Sequence, residues 1–224
     1  MIRKISYQWW WKIAGAMLVM YAVIGGLLMP VPALDILNET IRNLYYHVCM
    51  WFAMIFLLTV SMVNSIMYLN KQQPYRDLVS SQAAATAVLF AGAGLFTGMI
   101  WAKFTWGAFW VNDPKLNGVA ASMLVYAAYF LLRASIDDEQ KRARFSAVYN
   151  IFAYVMTMLF IMILPRLTAS LHPGNGGNPG FSTYDLDKHM MLVFYPAAIG
   201  WIAISVWVFT LKLRSKLIEA KLEE

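Results

Sequence analysis

The chain has 224 residues, of which 60% are apolar and only 13% are charged, and its mean hydropathy is +0.55. Its net charge is +6, but the composition excludes a soluble nucleic-acid-binding domain, because several apolar runs exceed the roughly 18 residues that indicate a membrane span. In hydrocarbon, a helix is favoured because it satisfies all of its backbone polar groups internally. We therefore predict one integral-membrane domain over residues 1–224, an all-α polytopic membrane protein.

Six predicted spans follow one another along the chain. They cover approximately Ile13–Met29, Tyr46–Leu69, Val79–Ile100, Val119–Leu132, Val148–Leu164 and Met191–Leu211. The first apolar run lacks a convincing cleavage site for a signal peptidase, so we expect it to be retained as a helix. The fourth span is the shortest and could begin a turn earlier. An even number of spans places both termini on one side of the membrane.

Lys and Arg are distributed unequally between the two sides of this topology. The side that carries the termini has 13 of the 18 basic residues, and the other side has 5. Basic residues favour the cytoplasmic side, so we predict cytoplasmic termini and an outer connection between spans three and four. The segment from Pro165 to Lys188, which contains the turn-rich HPGNGGNPG, is then also outer. The tail KLRSKLIEAKLEE is expected to be a short helical extension with Lys216–Glu219 and Lys221–Glu224 pairs.

Several kinds of chemistry have no candidate residues in this sequence. Cys49 is the only cysteine, so no disulfide can form within the chain, and no C-x-x-C-H motif offers covalent haem attachment. No phosphate-binding loop, dinucleotide fingerprint or hydrolase triad is recognisable. The spans contain almost no charged or strongly polar residues, which argues against the alternative of an export permease. We predict no catalytic residues.

The three histidines, His47, His172 and His189, all fall at the predicted outer surface or at the outer ends of spans. For any one of them, an interfacial side chain bonded to water or backbone is the alternative to a ligand. A zinc site needs three or four close ligands, and no such cluster is present. Haem needs only one or two axial ligands, an aromatic surface and cations for its propionates. We predict His47 and His172 as axial ligands and regard His189 as interfacial.

The stretch FTWGAFWVNDPKLN, residues 104–117, connects spans three and four and offers the other groups that haem needs. Its candidate porphyrin contacts are Trp106, Phe109 and Trp110. Candidate partners for the propionates are the cations Lys103, Lys115, Arg42 and Arg166. An interfacial belt explains the aromatic residues equally well, because Trp and Tyr concentrate at membrane boundaries. Asp113 precedes a proline, and it either forms a turn, caps span four or orients a histidine.

These residues belong to three motifs that resemble known haem-handling membrane proteins. TGMIWAKFTWGAFWVNDPKLN resembles the tryptophan-rich WWD domain, at about residues 101–117. RNLYYHVCMW and SLHPG resemble the sequences around the two outer histidines of the cytochrome c maturation family CcmC. Six spans fit CcmC better than the longer haem lyase CcmF or the CcsA-type synthases. Asn112, Lys115 and Cys49 depart from the family pattern, in which Trp, Arg and Pro are usual.

The resemblance implies a protein that binds haem b at the outer face of the bacterial inner membrane and passes it to the membrane-tethered chaperone CcmE during c-type cytochrome biogenesis. It implies CcmD and the ATP-binding complex CcmAB as further partners, and no enzymatic turnover beyond assisting covalent haem attachment to the chaperone. His47 and His172 would be the axial ligands, and the WWD positions would be Trp106, Gly107, Trp110 and Asp113. The second outer loop would cover about residues 165–190.

A different class of function is also compatible with a pair of histidines. A b-type membrane cytochrome subunit in quinone-linked electron transfer commonly pairs histidines across helices inside the membrane. No predicted span contains a histidine at mid-depth. The sequence therefore favours haem handling at the outer surface over electron transfer through the bilayer.

Overall fold

The computed structural model describes residues 7–33, 37–172 and 186–222, and these ranges contain helices but no strand. In chain order, the elements are α1 (Trp10–Leu28), a 3₁₀ helix (Asn38–Asn43), α2 (Leu44–Lys71), α3 (Pro74–Trp106), α4 (Pro114–Ala134), α5 (Glu139–Met158), a π turn (Leu159–Ile163), α6 (Leu164–Leu167) and α7 (Lys188–Leu222).

Within the described ranges, six helical stretches are long and apolar enough to cross a membrane, which confirms the predicted fold class. They are Trp10–Leu28, Asn38–Lys71, Pro74–Trp106, Pro114–Ala134, Glu139–Leu167 and Lys188–Ala220. Most helices continue beyond the predicted spans, because polar turns at their ends add helical residues without adding hydropathy. The fourth begins at Pro114 rather than Val119, because Asp113 caps it and proline suits the first turn of a helix.

Small residues allow α2 and α3 to pack closely along their length. Four alanines of α3 are almost completely buried within one core cluster: Ala83, Ala84, Ala87 and Ala91. Gly94 and Gly98 continue this face towards the end of α3, where they lie against α2. In a membrane, small residues at a helix interface permit the close backbone approach that stabilises a pair. The start of α2 is thereby held against the last turns of α3.

An ion pair joins α3 and α4 at the end of the bundle away from the tryptophan loop, residues 107–113, which connects the two helices. The Arg133 guanidinium donates through Nη1 and Nη2 to the two Asp77 oxygens, at 2.6 and 2.8 Å. Such a two-point contact fixes geometry as well as charge, so it sets the register of these helices. Since α3 has 33 residues and α4 has 21, α3 extends beyond the start of α4 at the other end.

The chain after α5 turns towards the start of α4 through an irregular helical segment. Pro165 has no N–H to donate to the carbonyl group four residues earlier, and the π turn Leu159–Ile163 adjusts the backbone just before it. The Phe160 carbonyl lies so close to Gly118 of α4 that a Cβ at this glycine would collide with it. The chain leaves the helix at Thr168 and runs to His172, beside Asp113.

Two predicted segments extend past the described residues. HPGNGGNPG lies outside them after His172, so the predicted second loop is described only at its two ends, residues 165–172 and 186–190. The predicted Lys216–Glu219 pair is present, with an N–O distance of 2.6 Å, whereas the Lys221–Glu224 pair lies outside the described side chains. The tail is helical, as predicted, but it is not a separate extension. It forms the last part of α7, which continues to Leu222.

Candidate functional site

His47 is buried near the beginning of α2 and faces the last turns of α3. Only 9% of the residue is exposed. Its Nδ1 atom lies 2.9 Å from the carbonyl oxygen of Gly94. A carbonyl oxygen only accepts, so Nδ1 carries the proton in this contact and Nε2 keeps the lone pair. The backbone of α3 thus fixes both the tautomer and the orientation of this imidazole.

Two tryptophans contact the His47 ring edge-on. The centroid of Trp51 lies 5.8 Å from that of His47, and the centroid of Trp101 lies 5.9 Å away. The indole N–H of Trp101 donates to Thr40 Oγ1 at 3.1 Å, whereas the indole N–H of Trp51 donates to His47 Nε2 at 3.3 Å. His47 therefore lies in an aromatic cluster built from α2 and α3.

Gly98 provides the space that the His47 ring occupies. A Cβ at this position would lie 2.5 Å from His47 Cε1, closer than two carbon atoms can approach. A Cβ at Gly94 would lie 3.0 Å from the Trp51 ring. The two glycines, four residues apart on one face of α3, are thus required by the two rings of α2 rather than by backbone conformation.

Asp113 links the tryptophan loop to the segment that follows α6. Its carboxylate accepts from the backbone N–H groups of Lys115 and Leu116 and so caps α4. The second carboxylate oxygen, Oδ2, accepts from Ser170 Oγ at 2.8 Å and from the Leu171 N–H at 2.7 Å. One side chain, only 1% exposed, therefore acts both as a helix cap and as an anchor for a distant segment.

His172 lies directly beside this carboxylate. Its Nδ1 atom is 2.8 Å from Asp113 Oδ1, although the ring orientation does not direct a hydrogen bond between the two atoms. The Trp106 ring packs edge-on against His172, with centroids 4.9 Å apart. Asp113 and Trp106 thus hold the imidazole from two sides.

The electrostatics of Asp113 favour its charged form. Burial raises the pKa of a carboxyl group, but the neighbouring His172 and Ser170 side chains and the Leu171 N–H outweigh burial and hold the pKa of Asp113 well below its usual range. Asp113 is therefore a carboxylate at neutral pH. A carboxylate only accepts hydrogen bonds, so the tautomer of His172 with its N–H at Nδ1 suits this neighbour, and Nε2 is then the nitrogen available to a ligand.

The predicted WWD segment divides between helix and loop. Residues 101–106 form the last turns of α3, and the loop itself covers residues 107–113. Gly107 ends α3 with a φ of 83°, a left-handed conformation that glycine adopts without strain. Phe109 and Trp110 are 54% and 40% exposed, so the loop presents its aromatic rings outward. Asn112, where the family usually has Trp, accepts a 2.7 Å hydrogen bond from Asn117.

The four cations predicted to face the propionates occupy different surroundings. Arg42 donates to the Gly26 and Met29 carbonyls and pairs with Glu39, so it caps the end of α1. Arg166 donates to the Met162 carbonyl. Lys103 donates to the Gly107 carbonyl at 2.9 Å and lies over the Phe109 ring. Lys103 and Lys115, which flank the loop, are the two cations that the structure brings to it.

Sequence reasoning missed several residues of this site. Trp51, Gly94, Gly98 and Trp101 surround His47, and Ser170 bonds to Asp113. Trp51 follows His47 by four residues, a spacing that places both on one helix face and could have indicated the contact. The spacing of Gly94 and Gly98 indicates a close helix crossing. Nothing in the sequence indicates the role of Ser170.

The two predicted ligand histidines share one arrangement. Each has Nδ1 against an acceptor, the Gly94 carbonyl for His47 and the Asp113 carboxylate for His172. Histidines that bind metals almost always direct their second nitrogen to such a carbonyl or carboxylate. His189 is different: it is exposed in the first turn of α7. Among the described residues, no group of three or more metal-binding side chains offers a competing protein-only metal site.

Comparison with known proteins places the chain in a family. The family model described as heme exporter protein C matches residues 2–224. The chain belongs to the heme exporter protein C family. Family membership confirms the resemblance to CcmC, and it implies a haem-handling component with a part in haem delivery for cytochrome c biogenesis rather than a recognised catalytic enzyme. Together with six membrane-capable helices, it indicates a multi-pass membrane protein.

Individual members of this and a related group are distant in sequence. Heme exporter protein C of Bradyrhizobium diazoefficiens is 23% identical over 184 residues, which cover 82% of this chain and 69% of that protein. Heme exporter protein C of Haemophilus influenzae is 24% identical over 141 residues, 61% of this chain and 54% of that protein. Cytochrome c biogenesis protein CcsA of Prochlorococcus marinus is 28% identical over 102 residues, 46% of this chain and 32% of that protein.

Proposed function

We propose that this heme exporter protein C family member holds haem b between His47 and His172 at the outer face of the cytoplasmic membrane and delivers it to a CcmE-type chaperone. The chaperone uses the haem in c-type cytochrome biogenesis. The observation that carries the proposal is the position of the two imidazoles: Nδ1 of His47 is hydrogen-bonded to the Gly94 carbonyl and Nδ1 of His172 lies 2.8 Å from the Asp113 carboxylate, so that Nε2 of each ring is the nitrogen left to bind a ligand. Haem supplies an iron that accepts two such nitrogens.

The residues around the histidines fit a carrier better than a permanent cofactor pocket. His47 is buried in a cluster between two helices, whereas His172 lies on a segment outside the helices, between the Asp113 carboxylate and the Trp106 ring. One fixed and one more exposed ligand would allow cargo to leave by first losing the His172 contact. The exposed rings of Phe109 and Trp110 give haem and an incoming chaperone a common aromatic surface.

Charge around the loop supports propionate binding by two of the predicted cations. Lys103 is exposed and Lys115 is partly exposed, and both flank residues 107–113. We assign the propionates to these lysines because they flank the loop, and we give Arg42 and Arg166, which lie outside this loop, a structural role. We assign this chain no catalytic reaction of its own, beyond assisting the covalent attachment of haem to the chaperone.

The proposal places the protein in the bacterial inner membrane with the tryptophan loop outside. The excess of Lys and Arg on the side of the termini supports this orientation. No phosphate-binding loop is recognisable in the sequence, so the proposal includes a CcmAB-type ATP-binding complex, together with a CcmD-type small protein, as partners.

The proposal is tested by absorption spectra of the protein purified in detergent, with and without added haem. Replacing His47 or His172 by Gly should lower the amount of retained haem, and added imidazole should restore part of it, since free imidazole can replace a missing side chain at the iron. His189→Gly is the matched control, because His189 is exposed at the start of α7, and it should retain haem like the wild type.

A wild-type protein that shows no haem absorption even after reconstitution would contradict the proposal as a whole. Equal retention in His47→Gly, His172→Gly and the wild type would contradict the ligand assignment alone. Delivery is measured separately, as haem gained by the purified chaperone. A variant that keeps haem but fails to transfer it would separate holding from delivery.

A further inference from the structure

The lone pair of His47 Nε2 already has a partner within the protein. Because Nδ1 faces the Gly94 carbonyl at 2.9 Å, the proton belongs on Nδ1 and Nε2 is an acceptor. The indole Nε1 of Trp51 lies 3.3 Å from Nε2, and an indole N–H only donates. The nitrogen that would bind iron is thus engaged in a long N–H···N hydrogen bond.

We infer that Trp51 competes with iron for His47 Nε2 and thereby sets how readily haem is released. This inference rests on the proposed ligand role of His47. One lone pair cannot serve an N–H donor and a metal at the same time, so binding of haem at Nε2 requires the Trp51 N–H to leave. When haem departs, the same N–H takes the lone pair again, which stabilises the empty state of the carrier.

The surroundings of Trp51 are apolar and closely packed. Its ring lines a small crevice between the helices, whose other walls include Met54, Val88, Ala91 and Val119. The ring also lies against Gly94, where a Cβ would come within 3.0 Å of it. Because the contact with Nε2 is already long, at 3.3 Å, a small turn of the ring is enough to withdraw the N–H, and it gives up only one weak hydrogen bond.

Trp101 provides a matched comparison. It packs against the same imidazole at nearly the same centroid distance and also edge-on, but its N–H donates to Thr40 instead of His47. Replacing either tryptophan by Phe removes an indole N–H and a similar volume from the same cluster. Only Trp51→Phe removes a donor from Nε2.

The first measurement uses haem-free, full-length protein with ¹⁵N-labelled histidine. The His47 Nε2 resonance is identified by its loss in His47→Gly. In Trp51→Phe, we expect this resonance to shift towards the value of a nitrogen whose lone pair accepts no hydrogen bond. In Trp101→Phe, we expect no such shift. If the resonance does not move in Trp51→Phe, the inference is wrong, because the Trp51 N–H would then form no hydrogen bond with the lone pair of His47 Nε2.

The second measurement follows transfer of ferric haem b from each variant to excess apomyoglobin. Loss of one net hydrogen bond in the competing state should slow release from Trp51→Phe by roughly two- to tenfold relative to the wild type. Trp10→Phe, which removes an exposed indole of α1 outside the cluster around His47, is the control and should release haem like the wild type. If the resonance shifts in Trp51→Phe but the rate of haem release is unchanged, while His47→Gly loses haem, then Trp51 does not compete with iron. The ligand role of His47 would still stand. A His47→Gly protein that holds haem like the wild type would overturn the ligand assignment itself.

Discussion

Gly98 of α3 and His47 of α2 are in such close contact that a methyl group on the glycine would lie 2.5 Å from the imidazole Cε1. We therefore expect Gly98→Ala to displace the His47 ring and to break its Nδ1 contact with Gly94. A displacement of this kind typically costs 1–3 kcal/mol by overpacking, so thermal stability should fall, and retained haem should fall with it. Thermal unfolding in detergent and the absorption spectrum measure the two effects.

Gly92 is the control for this substitution. It lies on the same helix, and no atom lies within 4 Å of the position where its Cβ would be built. Gly92→Ala should leave haem retention unchanged and should slightly stabilise α3, because alanine is the better helix former. If Gly98→Ala binds haem like Gly92→Ala, the close packing of His47 is irrelevant to its function.

The two roles of Asp113 can be separated by conservative substitution. Asn can still cap a helix but carries no charge, so Asp113→Asn should keep most of the stability of α4 while weakening the hold on His172. Loss of a partner that orients a metal ligand typically lowers metal affinity by roughly 10- to 100-fold, and haem affinity should fall within that range. Haem titration of the purified variant measures this change.

Asp138 provides the matched control for Asp113. It caps α5 by accepting from the Lys141 N–H at 2.7 Å, and it is exposed at the other end of the bundle. Asp138→Asn should therefore leave haem affinity unchanged. If both Asn variants bind haem with the affinity of the wild type, the Asp113 side chain serves only as a helix cap.

The depressed pKa of Asp113 predicts a pH dependence of stability. A carboxyl group whose pKa is lower in the folded state stabilises that state above its unfolded pKa of about 3.9, and the contribution disappears as pH falls through the folded pKa. The difference in melting temperature between wild type and Asp113→Asn should thus persist from about pH 7 to pH 5 and should be lost only in strong acid. A difference that vanishes already near pH 6 would contradict the assignment.

The tryptophan loop should contribute more to transfer than to binding. Replacing Trp106 and Trp110 together by Ala removes the ring that packs on His172 and an exposed indole. We expect haem loading of the chaperone to fall by about tenfold or more, as for the loss of an interface hot spot, while haem remains detectable on the carrier. Trp10→Ala, an exposed indole at the start of α1, is the control and should transfer normally.

Membrane orientation underlies all of these predictions. A phosphatase reporter that folds only outside the cytoplasm should be active after Ala33, between α1 and the 3₁₀ helix, and silent after Asp137, between α4 and α5. The expected pattern follows from the placement of 13 of 18 basic residues on the side of the termini. The opposite pattern would put His47 and His172 at the cytoplasmic face and exclude delivery to an outer chaperone.

Hydropathy predicted the six helices well because each needs a long apolar run to cross the bilayer. It did not predict their ends. Asp113 starts α4 before the apolar run begins, and charged turns extend α7 to Leu222 after the run ends. Helix ends depend on caps and tertiary contacts, which a sliding average does not register.

Composition and motifs also indicated both histidines and the loop, but not how they are held. The Gly94 carbonyl and the Trp51 indole reach His47 only because α2 and α3 cross closely, and a backbone carbonyl leaves no mark in a sequence. Ser170 and Asp113 are 57 positions apart, so their contact depends on the irregular path after α5. Contacts within one helix could be predicted, whereas those between helices required the fold.

The excess length of α3 makes bilayer thickness a variable in how this protein works. Its 33 residues measure about 50 Å, whereas α4 with 21 measures about 32 Å, close to the hydrocarbon thickness of about 30 Å. The Asp77–Arg133 pair aligns the two helices at one end, so most of the difference in length lies at the other end, where α3 extends past α4 and carries Trp106. A bilayer with longer acyl chains would cover this end of α3 and its aromatic residues. A thinner bilayer would leave the same residues in water, where a soluble domain could contact them.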